Sequence, residues 1–273
     1  MRQLEPAEIA DFQDQIYAYY KDHARVFPWR ETTDPYHILV SEVMLQQTQV
    51  DRVVPKYQAF ISRFPNFKSL SKASVQDIYQ QWQGLGYNRR ALALKKLAEQ
   101  VISEHAGVLP QSLELLVSLP GIGEATAGAI LAYAFNRPVV FIETNIRRVY
   151  IHHFFTDSES VHDHNLLPLI EQTLDHENPR QWYYALMDYG SMLGKAMPNP
   201  NRRSRHYTKQ STFEGSNRQI RGKILKILAA KRASLSELKN AIPENQPSIK
   251  PNLDTLIKEG FIIKHGRYFR LAA

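Results

Sequence analysis

LPGIGEATAGAILAYAFNRPVVFIETNIRRV, running from Leu119 to Val149, is the stretch on which the fold of this chain turns. Gly121 and Gly123 flank Ile122 in a short turn. Before it, Leu113, Leu115, Leu116 and Leu119 predict a short apolar helix. After it, Ala125, Ala129, Ala132 and Ala134, with Ile130, Leu131 and Phe135, predict a small-residue helix that can pack closely. The local reading is helix, glycine turn, helix. Glycine at a helix start leaves backbone N–H groups unshielded, and with the helix dipole these suit a phosphate oxygen. An ordinary corner between two helices would read the same way. Beyond the second helix come Pro138, the apolar run Val139 to Ile142, and Glu143-Thr144-Asn145. A carboxylate there, ahead of Arg147 and Arg148, is either a placed acid or the cap of the next helix.

The rest of the 273 residues supports a sizeable core in two or three compact units, with an ordinary 43% of hydrophobic residues. A formal charge of +7 favours a polyanionic partner, nucleic acid first. The absence of cysteine excludes disulfides and any thiolate-held zinc or iron–sulfur cluster. The start, MRQLEPAEIADF, lacks a basic-then-apolar signal pattern, and no apolar run approaches membrane length. A soluble, cytoplasmic protein is expected, with no membrane partner.

Upstream of the central stretch, Ile9, Phe12, Ile16 and Tyr19/Tyr20 predict an amphipathic helix over Glu5 to Lys21. Phe27-Pro28-Trp29-Arg30 and Asp34-Pro35-Tyr36 read as a rigid connector. Trp29 reads as core, and Arg30 suits either a phosphate or a buried acid. In the next helix Ile38, Leu39, Val43, Met44, Val50 and Val53/Val54 make a buried stripe, with Glu42 beside it. Partial desolvation there would raise the carboxyl pKa, as a general acid near neutral pH requires. Gln46, Gln47 and Gln49 suit a base edge or a solvated face, Gln49 the latter. Gly84-Leu85-Gly86-Tyr87-Asn88-Arg89-Arg90 offers an aromatic wedge beside phosphate-seeking charge; a helix boundary with Tyr87 in the core is the alternative.

Downstream, His152, His153, His162 and His164 match no familiar metal spacing and read as surface or partner-satisfied histidines. From Met197 to Gly215 the chain turns polar, basic and helix-poor. Between Arg202 and Arg232, ten basic residues face the single acid Glu214, with Tyr207 and Phe213 interleaved. That makes the segment a candidate for phosphate contact. Helices over Arg218 to Ala230, Ser234 to Ala241 and Pro247 to Glu259, then a hairpin about His265-Gly266, resemble a winged helix. Such a module binds DNA or packs against protein. The domains expected are residues 1–196, a basic linker 197–217, and a C-terminal module 218–273.

Phe27-Pro-Trp-Arg, Asp34-Pro-Tyr, SEVMLQQTQV, GLGY, LPGIG and the carboxylate of Glu143 follow the order of the helix-hairpin-helix DNA glycosylases. The chain most resembles the MutY-type adenine DNA glycosylases, over about Phe27 to Gly190. The resemblance implies an all-α, two-lobed glycosylase fold, here followed by the small winged-helix-like module. It implies a monofunctional hydrolase of base excision repair, with no cofactor and no metal. The partner would be double-stranded DNA carrying a mismatch or damaged base, bound by a monomer, at the nucleoid if the source is bacterial. A flipped base is needed because its glycosidic bond is unreachable in the stack. Glu42 matches the acid that protonates the departing adenine, and Glu143 stands where the family has its catalytic aspartate. Gln47 and Tyr87 match residues that wedge into the helix near the opposite base, with Gln46, Thr48 and Leu85 beside them. Arg30, Asn145 and Arg147 match supporting positions. Gly121, Gly123, Ala125 and Thr126 match the phosphate-binding hairpin.

Four departures stand out. Glu143 is one methylene longer than the family's aspartate, and a displacement of about an ångström can cost on the order of a hundredfold in rate. Ala125 replaces the lysine of lyase relatives, so lyase chemistry by that route is not expected. The four cluster cysteines are missing, and the winged-helix-like module stands where relatives carry the domain that reads 8-oxoguanine. The sequence expectation is therefore release of adenine opposite G or 8-oxoguanine. Release of mismatched thymine or uracil, and binding of distorted DNA with little catalysis, are the alternatives.

Overall fold

The computed structural model describes residues 2–156, 158, 160–210 and 212–272. It is largely helical, with short strands near the C-terminus. The helices are α1 (Pro6–His23), α2 (Pro35–Leu45), α3 (Val50–Arg63), α4 (Phe67–Ser71), α5 (Val75–Trp82), α6 (Arg89–Glu104) and α7 (Leu113–Ser118). Then follow α8 (Glu124–Phe135), α9 (Thr144–Phe154), α10 (Asp163–Gln172), α11 (Pro179–Ala196) and α12 (Asn217–Ala230). The chain ends in β1 (Ala233–Ser234), α13 (Leu235–Ala241), α14 (Gln246–Lys258), β2 (Ile262–His265) and β3 (Tyr268–Leu271). The run Val139 to Ile142 forms no strand; Phe141 is buried from a coil.

Two compact units emerge, one of residues 1–42, 110–118 and 122–209, the other of residues 43–109, 119–121 and 210–273. The chain passes from one to the other within α2, between Glu42 and Val43.

The first unit is built on α1, α9 and α11. Phe12 of α1 meets Tyr150 and Phe154 of α9 and Trp182 of α11, with ring centroids 5.0–5.8 Å apart. Gly190 lets α11 approach α9 closely: a Cβ there would lie 2.5 Å from the carbonyl oxygen of Asn145. The basic segment after α11 is partly consumed here. Arg203 donates to the carbonyls of Phe155, Thr156 and Ile151 at the end of α9. Arg205 donates to Ser160 and contacts His162. His153 is half-buried, and burial lowers its pKa to about 4. Among the described residues no cluster of three histidine, cysteine or acidic side chains is arranged to hold a metal.

The second unit holds α3 to α6 and the C-terminal module. Its three-stranded antiparallel sheet has the order β1-β3-β2, with Ile262 opposite Leu271 and Ala233 opposite Phe269. The β1 pairing has no counterpart in the expected hairpin, because two residues are too short a run for an alternating pattern to register. Ile224, Leu228, Leu253, Phe261 and Phe269 form a core that also takes in Val75, Tyr79 and Leu92 from α5 and α6. The module thus buries apolar surface against the helices beside the GLGY loop.

Candidate active site

In the first unit the acids come from two helix ends. Glu42 lies in the last turns of α2 and Glu143 is the N-cap of α9. Glu143 Oε1 accepts hydrogen bonds from the backbone N–H groups of Asn145 at 2.5 Å and Ile146 at 2.8 Å. Placed acid and helix cap are therefore the same residue. Asn145 Nδ2 reaches Oε2 at 3.4 Å, and Asn145 Oδ1 accepts from Arg148 at 2.8 Å. Arg148 is held by the carbonyl of Gly190 and by Asn199.

Around Glu42 the surroundings are aromatic and cationic. Tyr133 of α8 and Tyr184 of α11 stack with centroids 4.4 Å apart and planes 10° from parallel. Arg30 lies 4.5 Å above the Tyr184 ring. Its guanidinium makes two 2.8 Å hydrogen bonds to the buried carboxylate of Asp188. The buried acid of the two sequence alternatives is thus Arg30's partner, and the guanidinium serves as a wall.

The two acids sit in unlike electrostatic surroundings. Glu42 keeps part of its side chain exposed, yet loss of water and the charge of Glu143 push its pKa up to about 8, with Arg30 opposing. Burial also raises Glu143, but the N–H groups of Ile146 and Asn145 and the charges of Arg148 and Arg147 oppose the rise. Both carboxyls are raised, but only Glu143 is opposed by backbone N–H groups, an asymmetry that favours Glu42 as the proton holder of the two. Tyr133 and Tyr184 are both pushed upward, by burial first and then by Glu42's charge, so they remain neutral hydroxyls.

The other expected residues fall in different settings. Arg147 makes a two-pronged pair with Asp163 at 2.7 Å. Gly121 has φ +82°, a left-handed backbone that explains the glycine, while a Cβ at Gly123 would meet nothing within 4 Å. Gly123 is the N-cap of α8 and no side chain caps its N–H groups; Ala125 is exposed and Thr126 half-buried in the first turn.

In the second unit Gln47 and Tyr87 both adopt left-handed backbones, at φ 54° and 45°. That conformation is costly away from glycine and is kept where surroundings enforce it. Arg90 ties the two loops together. It donates to the carbonyls of Val43, Met44, Gln46 and Gly86 and to Thr48 Oγ1, at 2.6–3.1 Å. Arg90 is 8% exposed and burial lowers its pKa to about 10, so it is a girder rather than a phosphate ligand. Leu85 is 2% exposed; its side chain belongs to the core and its carbonyl accepts from Thr48. Gln46 Nε2 reaches the Gly121 carbonyl at 3.4 Å.

Tyr133, Tyr184 and Asp188 were not singled out by motif; Arg90 and Arg148 lay in motifs, but Arg90 was read as phosphate-seeking and binds carbonyls instead, and Arg148's partners were not read. Tyr133 interrupts an alanine-rich helix, and Asp188 sits in an apolar one; those two local exceptions were the available signals.

Residues 40–166 match the HhH-GPD superfamily base excision DNA repair protein family. The adenine DNA glycosylase of Mycobacterium tuberculosis is 32% identical over 254 residues, covering 82% of this chain and 80% of the relative. The chain belongs to the adenine DNA glycosylase family. Other members of this family agree. The adenine DNA glycosylase of Buchnera aphidicola is 35% identical over 67% of this chain, which spans 52% of that protein's length. The human one is 33% identical over 68% of the chain, which spans 36% of its length. Among solved structures, a thermostable thymine-DNA glycosylase superposes with a TM-score of 0.61 at 27% identity, covering 68% of this chain and 87% of that one. An endonuclease III trapped on DNA shares the fold at 19% identity and TM-score 0.55, covering 77% and 92%. No helix among the described residues is long and apolar enough to cross a membrane.

Proposed function

We propose that this chain is a monofunctional DNA glycosylase that releases adenine from mispaired or damaged duplex DNA. The observation that carries the reading is the contrast between Glu42, pushed to about 8, and Glu143, fixed on a helix N-terminus. Glu42, protonated at neutral pH, donates its proton to a ring nitrogen of the extruded adenine. The bond from C1′ to the base breaks, its electron pair leaves with the base, and the sugar becomes an oxocarbenium-like cation. The Glu143 carboxylate offsets that charge and takes a proton from the water that adds at C1′. The products are free adenine and an abasic site. Tyr133, Tyr184 and Arg30 form the wall of the base pocket, keeping Glu42 poorly hydrated. Asn145 and Arg148 orient Glu143. Ala125 brings no amine, which supports hydrolysis without strand scission.

Duplex DNA is the proposed partner and the chain acts as a monomer, at the nucleoid in a bacterium. The N–H groups at the start of α8 suit a backbone phosphate. In this reading residues 1–196 form the glycosylase domain, 197–217 a basic linker and 218–273 the winged-helix-like module.

A second reading is release of thymine or uracil from mismatches, favoured by the likeness to the thymine-DNA glycosylase. The deciding experiment measures base release from duplexes carrying A opposite 8-oxoguanine, A opposite G, T opposite G and U opposite G. Wild type, Glu42→Gln and Glu143→Gln are compared, with alkali to reveal abasic sites. Adenine release lost in both variants is the expected result. Pyrimidine release would move the substrate, and tight binding without release of any base would overturn the catalytic reading.

A further inference from the structure

A short segment after α11 grips α9 at both ends, wholly within the first unit. It runs from Asn199 to Arg205 and contains one tight helical turn, Pro200–Arg203. At the start of α9, Asn201 Nδ2 donates to the carbonyl of Thr144 at 2.8 Å. Asn199 Oδ1 accepts from Arg148 Nε at 3.0 Å and from the backbone N–H of Asn201 at 3.1 Å. At the far end, Arg203 donates to the carbonyls of Ile151, Phe155 and Thr156. The Val161 N–H donates to the Arg203 carbonyl at 2.8 Å, and the Arg205 N–H to the Val161 carbonyl at 3.0 Å. The segment is thereby pinned to the chain that follows α9.

Two features go beyond what packing alone requires. Asn201 is 3% exposed, and its Oδ1 has no hydrogen-bond partner among the described residues. A buried amide with one arm unpaired is costly, and an apolar side chain would fill the space without that cost. What the amide adds is the arm that holds Thr144, the residue next to Glu143. The second feature is the fit around Arg148. Its guanidinium is clasped by Asn199, the Gly190 carbonyl and Asn145 Oδ1. Gly194 leaves it room, since a Cβ there would lie 2.7 Å from Nη1. With Oδ1 turned to Arg148, Asn145 presents Nδ2 to Glu143. If Arg148 swung away, that amide would lose its orientation and Glu143 a nearby positive charge. Glu143 is the N-cap of α9, so its carboxylate is only as well placed as the first turn of that helix.

We propose that Asn199 and Asn201 are positioning residues for the Glu143 carboxylate. Asn201 fixes the first turn of α9, and Asn199 fixes Arg148, which sets the Asn145 amide against the acid. Residues 199–203 of the expected linker thus belong to the support of the acid. Glu143 acts at the reacting sugar only in the glycosylase reading, on which this role rests.

The test compares wild type, Asn199→Ala, Asn199→Asp and Asn201→Leu in the full chain. Single-turnover adenine release is followed at saturating duplex across pH, and duplex affinity is measured separately by fluorescence anisotropy. Asn199→Ala and Asn201→Leu should each release base about 10–100-fold more slowly at little-changed affinity. In Asn199→Ala the acid limb should also move to higher pH. The sign follows from the groups that face Glu143. Arg148 and Arg147 of α9 favour its charged form, whereas Glu42 of α2 and Tyr133 of α8 are neutral at pH 7. Loosening Arg148 therefore leaves burial to raise the acid's pKa. Asn199→Asp keeps the acceptor for Arg148 and should restore the rate. A lower melting temperature with the acid limb unmoved, or a loss of affinity in step with the rate, would overturn the proposal in favour of a merely structural role. Hydrogen exchange at the Asn145 and Ile146 amides, which donate to Glu143, reads the same support without catalysis. Protection should fall in Asn199→Ala and Asn201→Leu and hold in Asn199→Asp; unchanged protection would overturn the proposal. Lost protection in a chain whose wild type releases no base would retain the support and sink the glycosylase reading. Release at the wild-type rate in both variants would sink the positioning role alone.

Discussion

Asp188 grips Arg30 at both ends of its guanidinium, at 2.8 Å on each oxygen, and the same carboxylate accepts the backbone N–H and Nε of Arg25. Asp188 is 1% exposed and Arg30 9%. Asp188→Asn would leave two arginines without their counter-charge. Breaking a buried pair from one side costs about 3–5 kcal/mol. The melting temperature should fall by roughly 10 °C in a calorimetric scan. A change under about 2 °C would show that water already shares this pair.

Glu42 should govern the alkaline limb of base release. In the proposed reaction its proton is the one donated, so kcat/KM should fall as pH rises through about 8. Glu42→Gln should lower the rate by about 10²–10⁴-fold. Stability follows from the same shift. A folded pKa of about 8 above the unfolded 4.5 means that Glu42's contribution is whole below about 4.5 and is lost as pH rises through about 8. Glu42→Gln should therefore melt like wild type at pH 4 and several degrees higher at pH 9. Equal melting at both values would remove the buried-acid premise.

Glu143→Asp restores the family's residue but withdraws the carboxylate from surroundings fitted to the longer side chain. Asp is itself a good N-cap, so stability should change by less than about 1 kcal/mol. Single-turnover base release should drop by about 10–100-fold. A faster aspartate variant would mean that the wild-type carboxylate is held off its best position.

Arg90→Met keeps much of the buried volume and removes the guanidinium donors to the carbonyls of Val43, Met44, Gln46 and Gly86, of which Gln46 keeps Thr48 Oγ1 and Gly86 keeps Trp82 Nε1. The Val43 and Met44 carbonyls would be stranded at about 1–3 kcal/mol each, reduced where water enters. Denaturant titration should show a loss of at least about 3 kcal/mol. Hydrogen exchange should rise in the loops of Gln47 and Tyr87. Protection unchanged in those loops would deny Arg90 the girder role.

Gln47→Gly should separate strain from function. Glycine accepts φ 54° without the Cβ conflict, so stability should rise by up to about 1 kcal/mol. If Gln47 is the wedge that the family resemblance implies, its side chain would be gone and mismatch affinity should fall about tenfold. A variant that is more stable and binds equally well would show that Gln47 fills no gap.

The order of helices was legible because apolar spacing and glycine punctuation are local. The turn at Gly121, the helix from Glu124 and the hairpin about Gly266 lie where the residues indicate. Glu42 and Glu143 were legible as well, since each stands at an exception in an otherwise regular pattern. What Arg30, Arg147 and Arg90 do was not. An arginine's type is the same beside a phosphate, a carboxylate or a row of carbonyls, and its partner is chosen by segments distant in sequence. Asp188 is 158 residues from Arg30, and the carbonyls that fix Arg90 include three more than 40 residues upstream.

The sequence by itself determined the helical class, the glycine turns and the charge that favours a polyanion, and it marked two acids as candidates. It also removed cluster and disulfide chemistry, because no cysteine is present. Tertiary structure alone decided that Glu42 is surrounded by Tyr133, Tyr184 and Arg30 and that Arg90 ties together the loops of Gln47 and Tyr87, whose backbones are left-handed. It also decided that the segment after α11 holds both ends of α9. The reason is physical: backbone pattern follows neighbours within a few residues, whereas desolvation, pairing and strain depend on which surfaces meet after the chain has folded.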